Sequence, residues 1–166
     1  RSRRIIRLHP MVIMGSIVGA AFFYFQESPC FPPIENTSIG TMLLVMLLGC
    51  TLLPLPLKFD IRGWTEMHPL NGPAWSLYYE YIGNILYALF VRKFNKVALS
   101  VLVFVAGCFT VYRCLTAPAG DIVGGWALNW EQQYVGMVRL MYPFFGGLLL
   151  SRLGWLIRLE KRAFWW

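Results

Sequence analysis

Glu80 is the only charged residue in AWSLYYEYIGNILYALFV, Ala74–Val91. An ionised carboxylate at the centre of a membrane helix costs about 2.5–3.5 kcal/mol on insertion scales. Acids in such places mark substrate sites, proton paths or charge pairs, so Glu80 is a candidate for chemistry. On a helix, Ser76, Glu80 and Asn84 stand at i, i+4 and i+8, with Gly83 and Tyr87 close to the same face. This polar stripe is expected to face a protein interior or a water-filled cavity, because lipid would leave it unsatisfied. Simple interhelical hydrogen bonding, at about 0.6–2 kcal/mol per bond, is the alternative use.

Arg139 is a second charge inside an apolar run, YVGMVRLMYPFFGGLLL, and the only one between Glu131 and Arg152. It can pair with Glu80, line a shared polar cavity, or snorkel to a headgroup. Arg3, Arg4 and Arg7 are spaced i, i+4 and i, i+3, so their guanidinium forks can converge on one anion, with phosphate the natural match. Their other reading is a positive-inside topology signal. Of the two histidines, His9 is followed by Pro10, which suggests a helix start and an interfacial hydrogen bond. His68, in Met67-His68-Pro69-Leu70-Asn71, is either a general base near an acid or an ordinary loop residue. No metal-ligand spacing, phosphate-cradling glycine loop or nucleophile elbow is present, so no metal site is expected.

The elements that must position these residues are apolar blocks. The 166 residues are 57% hydrophobic and only 14% charged, against about 25% charged in soluble domains. Five blocks stand out: Ile5–Phe25, Ile39–Leu57 closed by Pro54-Leu55-Pro56, Ala74–Val91, Val97–Leu115, and Tyr134–Leu150. Each is near the ~20 residues a helix needs to cross a bilayer core. They are continuously apolar rather than alternating, which argues against barrel strands. The expected fold is all-α, a polytopic transmembrane bundle with about five of its membrane helices in this chain. Gly15-x-x-x-Gly19 is expected to admit another helix closely, and Gly146-Gly147 to do the same. Cys30, Cys50, Cys108 and Cys114 lack Cys-x-x-Cys spacing and read as small buried apolar residues.

Net charge is +7, with the basic residues mainly at block ends, which suits lipid headgroups and topology rather than nucleic acid. The positive-inside rule puts RSRRIIR in the cytoplasm and Gln26–Ser38 outside. If every block crossed once, the basic linker RKFNK and the basic C-terminal tail would fall outside, against the rule. One element between Ile39 and Pro73 is therefore expected not to be a simple crossing. Either the second block breaks at its prolines or the linker Lys58–Pro73 re-enters. Asn71-Gly72-Pro73 gives the third block a sharp helix start. The missing initiator Met and the abrupt end suggest an internal fragment.

Two segments resemble the acyltransferase-3 family of integral-membrane O-acyltransferases. Arg3-Arg4-Ile5-Ile6-Arg7-Leu8-His9-Pro10 is similar to the family's R-R-x-x-R run at a membrane-helix start. Asn71-Gly72-Pro73-Ala74-Trp75-Ser76-Leu77-Tyr78-Tyr79-Glu80 is similar to its W-S-L-x-x-E segment. Arg139 followed by Pro143-Phe144-Phe145-Gly146-Gly147 resembles a later R…P-F-x-x-G stretch. The resemblance implies that residues 1–166 are part of a single membrane domain, truncated at both ends. It implies a multi-pass protein, in the bacterial cytoplasmic membrane, that moves an acyl group, often acetyl, from acyl-CoA to a hydroxyl of a cell-surface carbohydrate or related acceptor. Acyl-CoA is then a donor substrate, and no resident cofactor is implied. The Arg cluster would contact donor phosphates. Glu80 would support the family's essential histidine or the acceptor hydroxyl. Trp75, Ser76, Asn84 and Arg139 would shape the site. That histidine is expected upstream of Arg1, so neither His9 nor His68 takes its role, and residues 1–166 alone are expected to be inactive. A transporter or channel-like subunit built on the intramembrane acid is the alternative, and a structural or assembly protein is a third.

Overall fold

The computed structural model describes residues 2–26 and 32–154, with side chains described from His9 to Gln26 and from Pro33 to Gly154. Among the described residues six α-helices follow one another: α1 Ser2–Phe25, α2 Pro32–Glu35, α3 Ile39–Gly49, α4 Ala74–Leu89, α5 Lys96–Thr116 and α6 Trp130–Leu153. Short 3₁₀ turns lie at Leu57–Phe59 and Val91–Lys93, and there is no strand among the described residues. The all-α expectation holds. Of the expected five membrane helices, two among the described residues, α5 and α6, are long and apolar enough to cross a membrane. At 1.5 Å per residue these span about 32 and 36 Å, against a hydrocarbon core of about 30 Å. The apolar part of α1, His9–Phe25, is shorter, and α4 has 16 residues.

The second block departs most from expectation. Its helix ends at Gly49 after 11 residues, about 16 Å, too short to cross. Ser38 starts it, its hydroxyl accepting the Thr41 N–H at 3.2 Å. Leu52 ends it in the left-handed region at φ 61, an uncommon conformation for a leucine that its burial holds in place. Pro54 reinforces the stop, because proline disfavours helical backbone at the residue before it. Of the two sequence alternatives, the block therefore breaks before its prolines. Pro10 also differs from expectation: it lies inside α1, not at its start. A proline there removes one backbone donor, which membrane helices tolerate when other groups take the freed carbonyl.

Two compact units divide the chain. The first comprises residues 1–82 and 123–137, the second 83–122 and 138–166, so α4 and α6 each contribute to both. In the first, α1 packs on α3, and Phe23, Val45, Leu55 and Ile61 share a core. A smaller cluster joins Val12, Leu52 and Ala74. The segment between α3 and α4 is a folded excursion rather than a plain linker. Leu55 N–H donates to Met67 C=O at 3.0 Å, and Met67 N–H to Trp126 C=O at 2.7 Å. The Asp60 carboxylate accepts the N–H groups of Arg62, Gly63 and Thr65 at 3.2, 2.9 and 2.6 Å, closing the tip.

That excursion, not another helix, occupies the glycine face of α1. A Cβ on Gly19 would lie 1.7 Å from the Leu70 carbonyl oxygen, and one on Gly15 would lie 2.6 Å from Asn71 Nδ2. The expected helix–helix role of Gly15-x-x-x-Gly19 is thereby corrected: only a glycine face lets a backbone carbonyl come so close. In the second unit Val91, Leu99 and Phe145 form the core. The Arg152 guanidinium donates to the carbonyls of Phe94, Val91 and Arg92, tying the last turn of α6 to the α4–α5 connection. Among the described residues a Cβ on Gly146 would come no closer than 3.9 Å to Val103 and one on Gly147 would meet nothing within 4 Å, so neither provides the close packing expected of the pair. The cysteines also differ from expectation: Cys108 is exposed and Cys50 and Cys114 are half-buried, while Cys30 lies outside the described residues.

Candidate functional site

The W-S-L-x-x-E segment opens α4. A turn prepares it: Asn71 N–H donates to His68 C=O at 3.1 Å and Ala74 N–H to Asn71 C=O at 2.9 Å. Pro73 then immediately precedes the helix, where its fixed φ suits the first turn. Ser76 is exposed and donates to the Pro73 carbonyl at 2.8 Å, so the stripe does not face inward at its first member. Glu80, Asn84 and Tyr87 are half-buried, and Gly83 is buried. Trp75 is half-buried and meets the Tyr79 ring edge-on, with centroids 6.2 Å apart.

Trp75, Ser76 and Glu80 thus share the first unit with α1 and the excursion, whereas Asn84 and Arg139 belong to the second. Arg139 is half-buried on α6. Glu80 and Arg139, which the sequence offers as a pair among other readings, belong to different units, and a double-substitution cycle tests their coupling. Arg3, Arg4 and Arg7 lie on the first two turns of α1, but their side chains lie outside the described residues. His9 is half-buried on the same helix.

His68 is buried. It is 3% exposed, and Nε2 lies 3.4 Å from the Leu52 carbonyl, which the end of α3 leaves available. Burial pushes its pKa below the ordinary value of 6.5, and the Leu52 carbonyl partly opposes this. His68, Asn71, Ser16 and Gly49 line a tight crevice. Ser16 Oγ and His68 Nδ1 are buried there without a hydrogen-bond partner among the described residues. At the excursion's tip Arg62 pairs with Glu66 at 3.3 Å and donates to the Pro69 carbonyl at 3.2 Å. Burial raises the Glu66 carboxyl above its ordinary 4.5, with Arg62 pulling the other way.

Sequence reasoning missed Tyr79 and its surroundings. An aromatic inside an apolar block carries no signal of what it touches. Tyr79 is 2% exposed and lies against Gly136 of α6. Gly125, at φ +103, lies beside Trp75 and donates its N–H to Gln132 Oε1 at 2.6 Å. Among the described residues no group of three or more His, Cys, Asp and Glu gathers where a metal ion could be held.

A family model described as an acyltransferase domain, that of the acyltransferase-3 family, matches residues 2–166. The chain belongs to this family. Acyl transfer is therefore its activity class, and the family's membrane association agrees with the apolar helices α5 and α6. Searches of curated proteins and of solved structures return no match.

Proposed function

We propose that this protein is part of a multi-pass membrane O-acyltransferase that moves an acyl group, acetyl in the simplest case, from acyl-CoA to a hydroxyl of a cell-surface carbohydrate or related acceptor. The observation that carries the reading is the acid of Trp75-Ser76-Leu77-Tyr78-Tyr79-Glu80, half-buried on α4 in a chain that matches the family from residue 2 to 166. In this reading the acceptor oxygen attacks the thioester carbonyl, the C–S bond breaks, and CoA leaves as its thiol. Glu80 holds the histidine that takes the hydroxyl proton, or holds the hydroxyl itself, and that histidine is expected outside residues 1–166. Arg3, Arg4 and Arg7 bind the donor phosphates with their guanidinium forks. Trp75 and Ser76 line the acceptor side, and Asn84 and Arg139 supply further polar contacts.

If α1 and α4 both cross the membrane and α3, at 11 residues, does not, the positive-inside rule would assign the basic turn Arg92–Lys96 and the Arg3, Arg4 and Arg7 cluster to one, cytoplasmic, face, the face of an acyl-CoA donor. Glu80→Gln in the full-length protein should abolish acceptor esterification while its level in membranes stays unchanged. Normal esterification by that variant refutes the role of Glu80. A paired set, Glu80→Gln, Arg139→Gln and both together, tests their coupling: additive losses exclude a direct pair.

A further inference from the structure

Tyr79 stands where another residue's side chain would have to be. A Cβ on Gly136 would lie 2.1 Å from Tyr79 Cζ and 2.3 Å from both Cε2 and the hydroxyl oxygen. Trp75, one turn earlier on α4, has a similar neighbour: a Cβ on Gly125 would lie 3.3 Å from its Cζ3 and 3.0 Å from Gly136 Cα. The positive φ of Gly125, +103, and the Gln132 side chain on its N–H hold that backbone in place. Gly125 and Gly136 therefore form a slot that receives the edge-on pair Trp75–Tyr79. The Tyr79 hydroxyl is buried and has no hydrogen-bond partner among the described residues, so what the slot uses is the shape of the ring.

We infer that Tyr79 and Trp75 key α4 into this glycine slot, fix its rotation about its own axis, and so set the direction of the Glu80 carboxylate. A helix is stiff, and successive side chains leave it about 100° apart. Holding residue 79 at one azimuth therefore fixes residue 80. Tyr79, Gly125 and Gly136 are positioning residues that act through Glu80. The inference rests on the proposed role of Glu80 in acyl transfer.

The test uses the full-length protein in native membranes, with turnover and donor KM measured separately. In Gly136→Ala the new methyl would lie 2.1 Å from a ring carbon that needs about 3.5 Å, so the ring must retreat by roughly 1.4 Å. A misplacement of about 1 Å at a reacting group can cost on the order of 100-fold. Turnover is expected to fall 10- to 100-fold, with donor KM within about twofold of wild type. Adding Tyr79→Leu, which removes the same key, should cost no further turnover, a non-additivity that general destabilisation does not produce. Tyr79→Phe keeps the ring and should keep turnover. If Gly136→Ala fails to accumulate, Tyr79→Leu alone carries the test, with the same fall in turnover at unchanged KM. Wild-type turnover in Gly136→Ala, or a loss in Tyr79→Phe as large as in Gly136→Ala, overturns the keying. Glu80→Gln in the same assay separates the two readings. If it is inactive while Gly136→Ala is normal, only the keying fails. If it is normal, the role of Glu80 fails and the keying with it.

Discussion

Replacing Gly19 with alanine should destabilise this protein although alanine is the better helix former. Inside a helix, Gly→Ala gains about 0.8–1 kcal/mol of propensity. At Gly19 the added Cβ would lie 1.7 Å from the Leu70 carbonyl oxygen and 2.8 Å from its carbon. Ordinary contact needs about 3.5 Å, so Leu70 must shift by more than 1.5 Å. The obstacle is backbone, not the end of a flexible side chain. Leu70 is 8% exposed and lies between buried Pro69 and Asn71, whose side chain donates to the Val12 carbonyl at 3.5 Å. Overpacking of this kind costs about 1–3 kcal/mol and sometimes more, so the clash outweighs the propensity gain. With a backbone clash this short at the upper end of that range, the expected net loss is about 2 kcal/mol. Two other glycines calibrate it. Gly147→Ala meets nothing within 4 Å and should be neutral or stabilising. Gly15→Ala meets the Asn71 amide at 2.6 Å, which can rotate away, and should fall between the two. Thermal unfolding of the three purified variants in one detergent gives the order. A midpoint for Gly19→Ala equal to or above that of Gly147→Ala would refute the docking of the excursion on α1.

Four further outcomes are expected. Asp60→Ala removes the acceptor of three backbone N–H groups at the tip of the excursion and should cost on the order of 1–3 kcal/mol, with faster proteolysis between residues 60 and 65; Asp60→Asn should lie closer to wild type. Because the folded pKa of His68 is depressed below 6.5, its contribution to stability is complete above that pH and is lost as pH falls below it, so melting midpoints should drop on acidification and His68→Gln should flatten that slope. Glu66 works oppositely: its raised pKa gives a contribution complete below 4.5 and lost as pH rises through the folded value, so Glu66→Gln should remove that component. Cys108 is exposed near the middle of α5, so in a variant keeping only that cysteine a membrane-impermeant maleimide should label it only after detergent is added. Rapid labelling in intact membranes would show that α5 does not span.

Much of the helical layout was legible because apolar runs report directly on where water is excluded. Val97–Leu115 and Tyr134–Leu150 lie inside α5 and α6, and Ala74 is the first residue of α4. The Trp-Ser-Leu-x-x-Glu segment was legible too, since a lone acid in an apolar block has few uses. The second block was misread in extent because hydrophobicity is the same for a helix and for a buried extended segment. Leu52, Leu55 and Ile61 are apolar, yet they pack as an excursion beyond Gly49. Pro54 carried the local signal for this break, through its effect on the residue before it.

By itself the sequence determined the class: continuous apolar blocks, charges gathered at their ends, and two motif segments that place the chain in an acyltransferase family. These are properties of single segments, set by solvent preference and local backbone chemistry. Only the tertiary structure decided the partners. It put a backbone carbonyl against Gly19, a buried histidine beneath Leu52, and a tyrosine ring in the space left by Gly136. A glycine announces room but not its occupant, and an aromatic announces bulk but not its socket. The match between them depends on which distant segments meet, so the socket of Tyr79 became visible only once its ring was seen against Gly136 of α6.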